Sequence, residues 1–83
     1  MKIRILFFAS VADAARSRQL DLEVEPGTSV GGLRKRLERE RPGLAGRLGK
    51  CAAAVNQAVA GPETVLSEED EVAFLPPVSG GAR

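Results

Sequence analysis

Residues Lys2 to Ala9 alternate in character before ending in a double aromatic, with Ile3, Ile5 and Phe7 on one face of an extended chain and Lys2, Arg4, Leu6 and Phe8 on the other. This pattern predicts a first strand. Val11 to Ser17 is Ala-rich and reads as a short helical turn or loop. Leu20, Leu22 and Val24 then alternate with Asp21, Glu23 and Glu25, the cleanest strand signal in the chain. Acids directed to water place this strand near a sheet edge, paired with the first as a hairpin. Pro26-Gly27 stops it, and Thr28 or Ser29 can accept the unpaired N–H groups of a helix carrying Val30, Leu33 and Leu37 at helical spacing. Gly31 and Gly32 weaken its first turn by about 1 kcal/mol each relative to Ala, so packing must hold it, with close approach to the sheet as one reason. Arg41-Pro42-Gly43 ends the helix, and Leu44, Ala45 and Leu48 suggest a second short helical turn.

Cys51 to Val55 reads as a short apolar strand, Asn56-Gln57 as a turn, and Ala58 to Ala60 as a brief strand stopped by Gly61-Pro62. Ser67 to Asp70 is a polar turn before a last strand, Glu71 to Leu75. The order β-β-α-β-β-β predicts an α+β roll, a mixed sheet of about five strands with one main helix on one face. Ile3, Ile5, Phe7, Val72 and Phe74 belong beneath that helix. Leu6, Phe8, Ala73 and Leu75 fall on the opposite face as an apolar patch of the kind that marks partner sites, unless Leu44 to Leu48 fold over them.

Eighty-three residues support one domain, read as residues 1–75, followed by a flexible tail at 76–83. No apolar run approaches the roughly 20 residues of a membrane span, and the N-terminus lacks a signal-peptide cleavage site, so the expectation is a soluble cytoplasmic protein without a membrane partner. Cys51 is the only cysteine and histidine is absent, which argues against a disulfide framework and a metal site. Charge is uneven: Arg34, Lys35, Arg36, Arg39, Arg41, Arg47 and Lys50 outnumber Glu38 and Glu40, whereas Glu63, Glu68, Glu69, Asp70 and Glu71 follow without a base. A solvated helix face and an acidic turn account for this, with partner steering as the functional reading. Without Trp or Tyr to stack on bases, nucleic acid is not an expected partner.

No nucleophile-plus-base spacing is present, so the chain is not expected to catalyse alone. Ser10, Ser17, Ser29, Ser67 and Ser79 read as turn, cap or tail residues, Gly31-Gly32 completes no phosphate-binding loop, and Cys51 reads as an inert core thiol. What remains is the C-terminal segment. Pro76 and Pro77 lack the N–H a ladder needs and end the strand, and Gly80 and Gly81 have no Cβ, so a narrow channel could close around their backbone. Extended at about 3.3–3.6 Å per residue, Pro76 to Gly81 would reach roughly 20 Å from the sheet, far enough to enter another protein's active site.

Leu6-Phe7-Phe8-Ala9, Ala53-Ala54-Val55-Asn56-Gln57 and Asp70-Glu71-Val72-Ala73-Phe74, followed by Pro76-Pro77-Val78-Ser79-Gly80-Gly81, resemble the small subunit of molybdopterin synthase, the MoaD family, over nearly the whole chain. The resemblance implies a ubiquitin-like β-grasp fold and a sulfur carrier. A ubiquitin-activating-type adenylyltransferase would use ATP to adenylate the terminal glycine, and sulfur would displace AMP to leave a thiocarboxylate. The large synthase subunit would deliver that sulfur to a cyclic pyranopterin. No cofactor would be bound to the carrier itself. By this resemblance Gly81 bears the reactive carbonyl, Gly80, Ser79 and Val78 thread the channel, and Pro77 and Pro76 stiffen the exit. Phe8, Leu75 and Val59 would supply the docking patch.

The family's chain ordinarily ends at the second glycine, whereas Ala82-Arg83 follow here, so Gly81 as written holds an amide with no carboxylate to adenylate. Removal of the two residues by a peptidase is the expectation. Activation at Arg83, addition of the two residues in cloning and a binding-only role are the alternatives. Carriers for thiamine or tRNA thiolation, a ubiquitin-like protein modifier and a plain β-grasp interaction module are the rival functions.

Overall fold

The structure, a computed structural model, describes residues 1–76. Five strands form one sheet in the order β2-β1-β5-β3-β4, with β1 at Lys2–Phe7, β2 at Gln19–Glu23, β3 at Ala52–Val55, β4 at Ala58–Ala60 and β5 at Glu71–Leu75. β1 and β5 run parallel, and every other neighbouring pair is antiparallel. The acid-bearing β2 is an edge strand, as its alternation predicts. Its pairing with β1 is not a tight hairpin, because the Ala-rich segment between them is a helix, α1 at Ala9–Ala15, which ends on a left-handed Arg16.

The main helix, α2, spans Val30–Glu40. Ser29 caps it, its Oγ accepting from the Gly32 N–H at 3.1 Å. Val30, Leu33 and Leu37 are fully buried and meet Ile3, Ile5, Phe7, Val72 and Phe74 in one core. The expectation that Gly31 lies against the sheet is corrected by its contacts. A Cβ on Gly31 would lie 3.2 Å from the Pro62 carbonyl oxygen, which accepts the Gly31 N–H at 2.8 Å. The glycine admits the connection between β4 and β5, which lies along the helix start through Val30 N–H to Thr64 O at 2.9 Å and the Ser29–Val65 bridge.

After α2 the chain forms two 3-10 turns, Pro42–Leu44 and Leu48–Lys50. Leu44 and Leu48 are fully buried in the core on the helix side. They do not fold over the opposite face of the sheet, which therefore stays uncovered by them. Gly43 is where the first turn meets α1: a Cβ there would run into the Ala14 carbonyl oxygen. Arg34 lies over the Phe74 ring, 5.8 Å from its centroid, and donates to the Cys51 carbonyl at 3.4 Å, while its Nε is buried without a hydrogen-bond partner among the described residues.

Candidate functional site

Strand alternation sends every second residue of β1 and β5 to the face opposite α2, and the pairing registers line these residues up across the sheet. Leu6 lies opposite Ala73, Ala73 opposite Ala54, and Ala54 opposite Val59, giving an apolar row over four strands. One step toward the C-terminal end of β5, Leu75 lies opposite Ala52, with Phe8 just past the end of β1. One step the other way, Arg4 lies opposite both Asp21 and Glu71 and pairs with Asp21 at 3.4 Å. The outer face thus grades from ionic to apolar, and its apolar end is where β5 gives way to Pro76.

The exposed large apolar residues of this face are Phe8 at 43% and Leu75 at 36% at that end, and Val59 at 87% where the middle row reaches the β4 edge. The structure therefore places the three residues expected in a docking patch on one face of one sheet, Phe8 and Leu75 at the ends of neighbouring strands and Val59 at the β4 edge, with β3 between it and β5. Phe8 is held outward by the backbone. Its carbonyl accepts from Val11 and Ala12 at 3.0 and 3.3 Å, and Ala9 turns the chain at a φ of 51°, a conformation that disfavours a side chain by roughly 1–2 kcal/mol. Beside it, Leu6, Ala12, Asp13, Arg18 and Gln19 wall a cleft between α1 and the strands.

Ala54 belongs to the same row but was not separable by sequence. In Ala52-Ala53-Ala54 every position is equally apolar, so alternation carries no contrast, and only the register shows that Ala53 packs in the core while Ala54 faces out. Pro76 is half-buried at the root of the tail. Pro77, Val78, Ser79, Gly80, Gly81, Ala82 and Arg83, which carry the remaining site expectations, lie outside the described residues.

Other chemistry is disfavoured by what surrounds each candidate. Cys51 is buried, and desolvation pushes its thiol above the ordinary 9.0, with Glu38 adding to the rise and Arg34 opposing it. Such a thiol is a poor nucleophile at neutral pH. The Val30, Gly31 and Gly32 N–H groups are taken by Thr64 O, Pro62 O and Ser29 Oγ, so the start of α2 presents no free donors there for a phosphate. No described helix is long and apolar enough to cross a membrane.

A model of the ThiS family matches residues 5–81, which takes in most of the described sheet and the Gly80-Gly81 pair. The chain belongs to the ThiS family. The resemblance to the MoaD subunit is borne out by a Mycobacterium tuberculosis relative, the molybdopterin synthase sulfur carrier subunit, 39% identical over 98% of this chain and 99% of that one. Among solved structures, this ThiS-family chain superposes on SAMP1, a small archaeal modifier protein of Haloferax volcanii, with a TM-score of 0.87 and 27% identity over 98% and 100% of the two chains. It also matches, with a TM-score of 0.71 and 27% identity over 98% and 100% of the chains, a structure of the complex of subunits 1 and 2 of the molybdopterin-converting factor of Helicobacter pylori. The β-grasp roll expected from the sequence is the fold of these neighbours.

Proposed function

We propose that this protein is the sulfur-carrying small subunit of a molybdopterin synthase, with residues 1–75 as the carrier domain and residues 76–83 as the tail that bears the cargo. The observation carrying this reading is the likeness, over nearly the full length of both chains, to a relative named for that role. The exposed apolar face of the sheet supports it, because Leu75 ends the strand that leads toward Gly80-Gly81, Phe8 follows the neighbouring strand β1, and Val59 lies on the same face at the β4 edge.

In this reading Gly81 must first become a chain end, which requires hydrolysis of the Gly81–Ala82 bond. The freed carboxylate attacks the α-phosphate of ATP on a partner adenylyltransferase, releasing pyrophosphate and leaving an acyl adenylate. A sulfide equivalent displaces AMP and leaves a thiocarboxylate. The tail then enters the large synthase subunit, where catalysis resides, and sulfur passes to the cyclic pyranopterin as water restores the Gly81 carboxylate. Gly80 and Ser79 occupy the narrow part of the channel, Val78 precedes them, and Pro76 and Pro77 limit the tail's freedom at its root. The carrier binds no cofactor of its own and works in the cytoplasm.

Intact mass of the protein from its native cells, before and after incubation with the activating enzyme, ATP and sulfide, tests the reading. Loss of Ala82-Arg83 followed by exchange of one oxygen for sulfur is the expected result. A mass that still ends in Arg83 and takes up no sulfur overturns it. The likeness to SAMP1 favours a second reading, attachment of Gly81 to lysines of other proteins, which predicts covalent conjugates on a denaturing gel that vanish when Gly81 is deleted.

A further inference from the structure

The two edges of the sheet are unlike. β2 carries Asp21 and Glu23, charges that discourage a further strand from pairing. β4, at the other edge, lies within Cys51 to Pro62, a stretch without Asp, Glu, Lys or Arg in a chain that is 28% charged. Nothing in its side chains deters an approaching backbone.

The register shows which backbone groups are open. Asn56 and Gln57, at φ of 51° and 73°, form the two-residue turn joining β3 to β4, so Val55 and Ala58 are the hydrogen-bonded pair that closes the hairpin. Antiparallel alternation then makes Ala54 and Val59 a non-hydrogen-bonded pair. The Val59 N–H and C=O therefore point away from β3 to the free edge, and among the described residues no loop or cap hydrogen bond reaches them. The turn that leads into the strand is anchored to β5 and the residue before it. Asn56 donates through Nδ2 to Asp70 at 2.8 Å, accepts the Glu71 N–H at 3.0 Å, and donates its own N–H to the Glu71 carbonyl at 2.7 Å.

We infer that the open edge of β4 receives an extended, uncharged segment of the large synthase subunit, which adds a strand to the sheet through paired hydrogen bonds to Val59. This rests on the carrier reading proposed above. Val59 ends the apolar row of Leu6, Ala73 and Ala54, so a protein seated on the outer face reaches this edge without crossing a charged residue of that row. A second copy of this chain fits less well. Three residues of β4 pairing with their own image bury far less than the roughly 800 Å² per partner of a stable interface, whereas a partner already on the outer face adds the edge to a larger contact.

Amide exchange with and without the large synthase subunit of the same organism tests the inference. In the free chain the Val59 amide exchanges quickly while Ala58 and Ala60 are protected, and in the complex Val59 slows by roughly tenfold or more. Val59→Pro, which removes the outward N–H, weakens binding by about fivefold beyond Val59→Ala, which keeps it. If Val59 stays unprotected in a complex that Phe8→Asp abolishes, the edge inference is overturned and the carrier reading stands. If Val59 is already protected in the free chain, increasingly so with concentration, a second copy occupies the edge and the inference is wrong. If no complex forms at all, both fall.

Discussion

Phe7 and Phe74 lie opposite each other in the parallel register of β1 and β5, their ring centroids 6.4 Å apart and their planes within 19°. Because side chains alternate along a strand, the residues that follow them, Phe8 and Leu75, emerge on the other face. The core pair and the exposed apolar pair are thus one residue out of step along the same two stretches of chain. Phe74→Ala is expected to destabilise the domain by about 3–5 kcal/mol in urea unfolding. Phe8→Ala should alter stability by no more than about 0.5 kcal/mol while weakening partner binding by about tenfold or more, measured by titration calorimetry. Unfolding by Phe8→Ala would move that ring into the core.

Gly43 predicts a second outcome. Since a Cβ there meets the Ala14 carbonyl of α1, which is backbone, Gly43→Ala must push α1 away. The expected loss is about 1–3 kcal/mol, with amide chemical-shift changes along Ala9–Ala15. Changes confined to residues 41–45 would show that the turn, not α1, absorbs the added methyl.

The Asn56 clamp can be separated from the turn's geometry. Asn56→Gly keeps the left-handed turn and the backbone bond to Glu71 but loses the side-chain bonds to Asp70 and Glu71, and should destabilise by about 1–3 kcal/mol. Gln57→Gly relieves a side chain at φ 73° and should stabilise by about 0.5 kcal/mol, relief of left-handed strain slightly exceeding the added freedom of the unfolded chain. Chemical denaturation of both variants checks the opposite signs.

Cys51 gives a pH dependence. Burial raises its pKa in the folded state above 9.0, so as pH rises past 9.0 the unfolded chain releases this proton more readily than the folded one. Stability from this group is therefore fully present below 9.0 and lost as pH climbs through the folded value. Urea unfolding from neutral to alkaline pH should show a steeper decline for the native chain than for Cys51→Ala. Parallel declines would mean that the thiol does not contribute.

Much of this arrangement was legible in the chain because alternation and helical spacing carry strong contrast where charged and apolar residues adjoin. Ile3, Ile5 and Phe7 against Lys2 and Arg4, or Leu20 and Leu22 against Asp21 and Glu23, leave one choice of face. Contrast fails in Ala52 to Ala54, so the outward place of Ala54 emerges only from its pairing with Ala73 and Val59. The fate of Gly31 and of Leu44 and Leu48 was equally hidden, since close approach to Pro62 and insertion beneath the sheet depend on tertiary neighbours far away in sequence. Alternation alone put Phe8 and Leu75 on one apolar face, but Val59 joined them only through family resemblance, because nothing local places residue 59 on the face of residues 8 and 75.

The position of β5 has a mechanical consequence. It is the central strand of the five, bonded to β1 on one side and β3 on the other. A pull applied to the chain beyond Pro76 acts along β5 and loads both ladders in shear, so the bonds bear it together instead of peeling open in turn. A domain wired this way bears tension on its C-terminal end better than one whose last strand lies at a sheet edge, where the bonds would open one at a time.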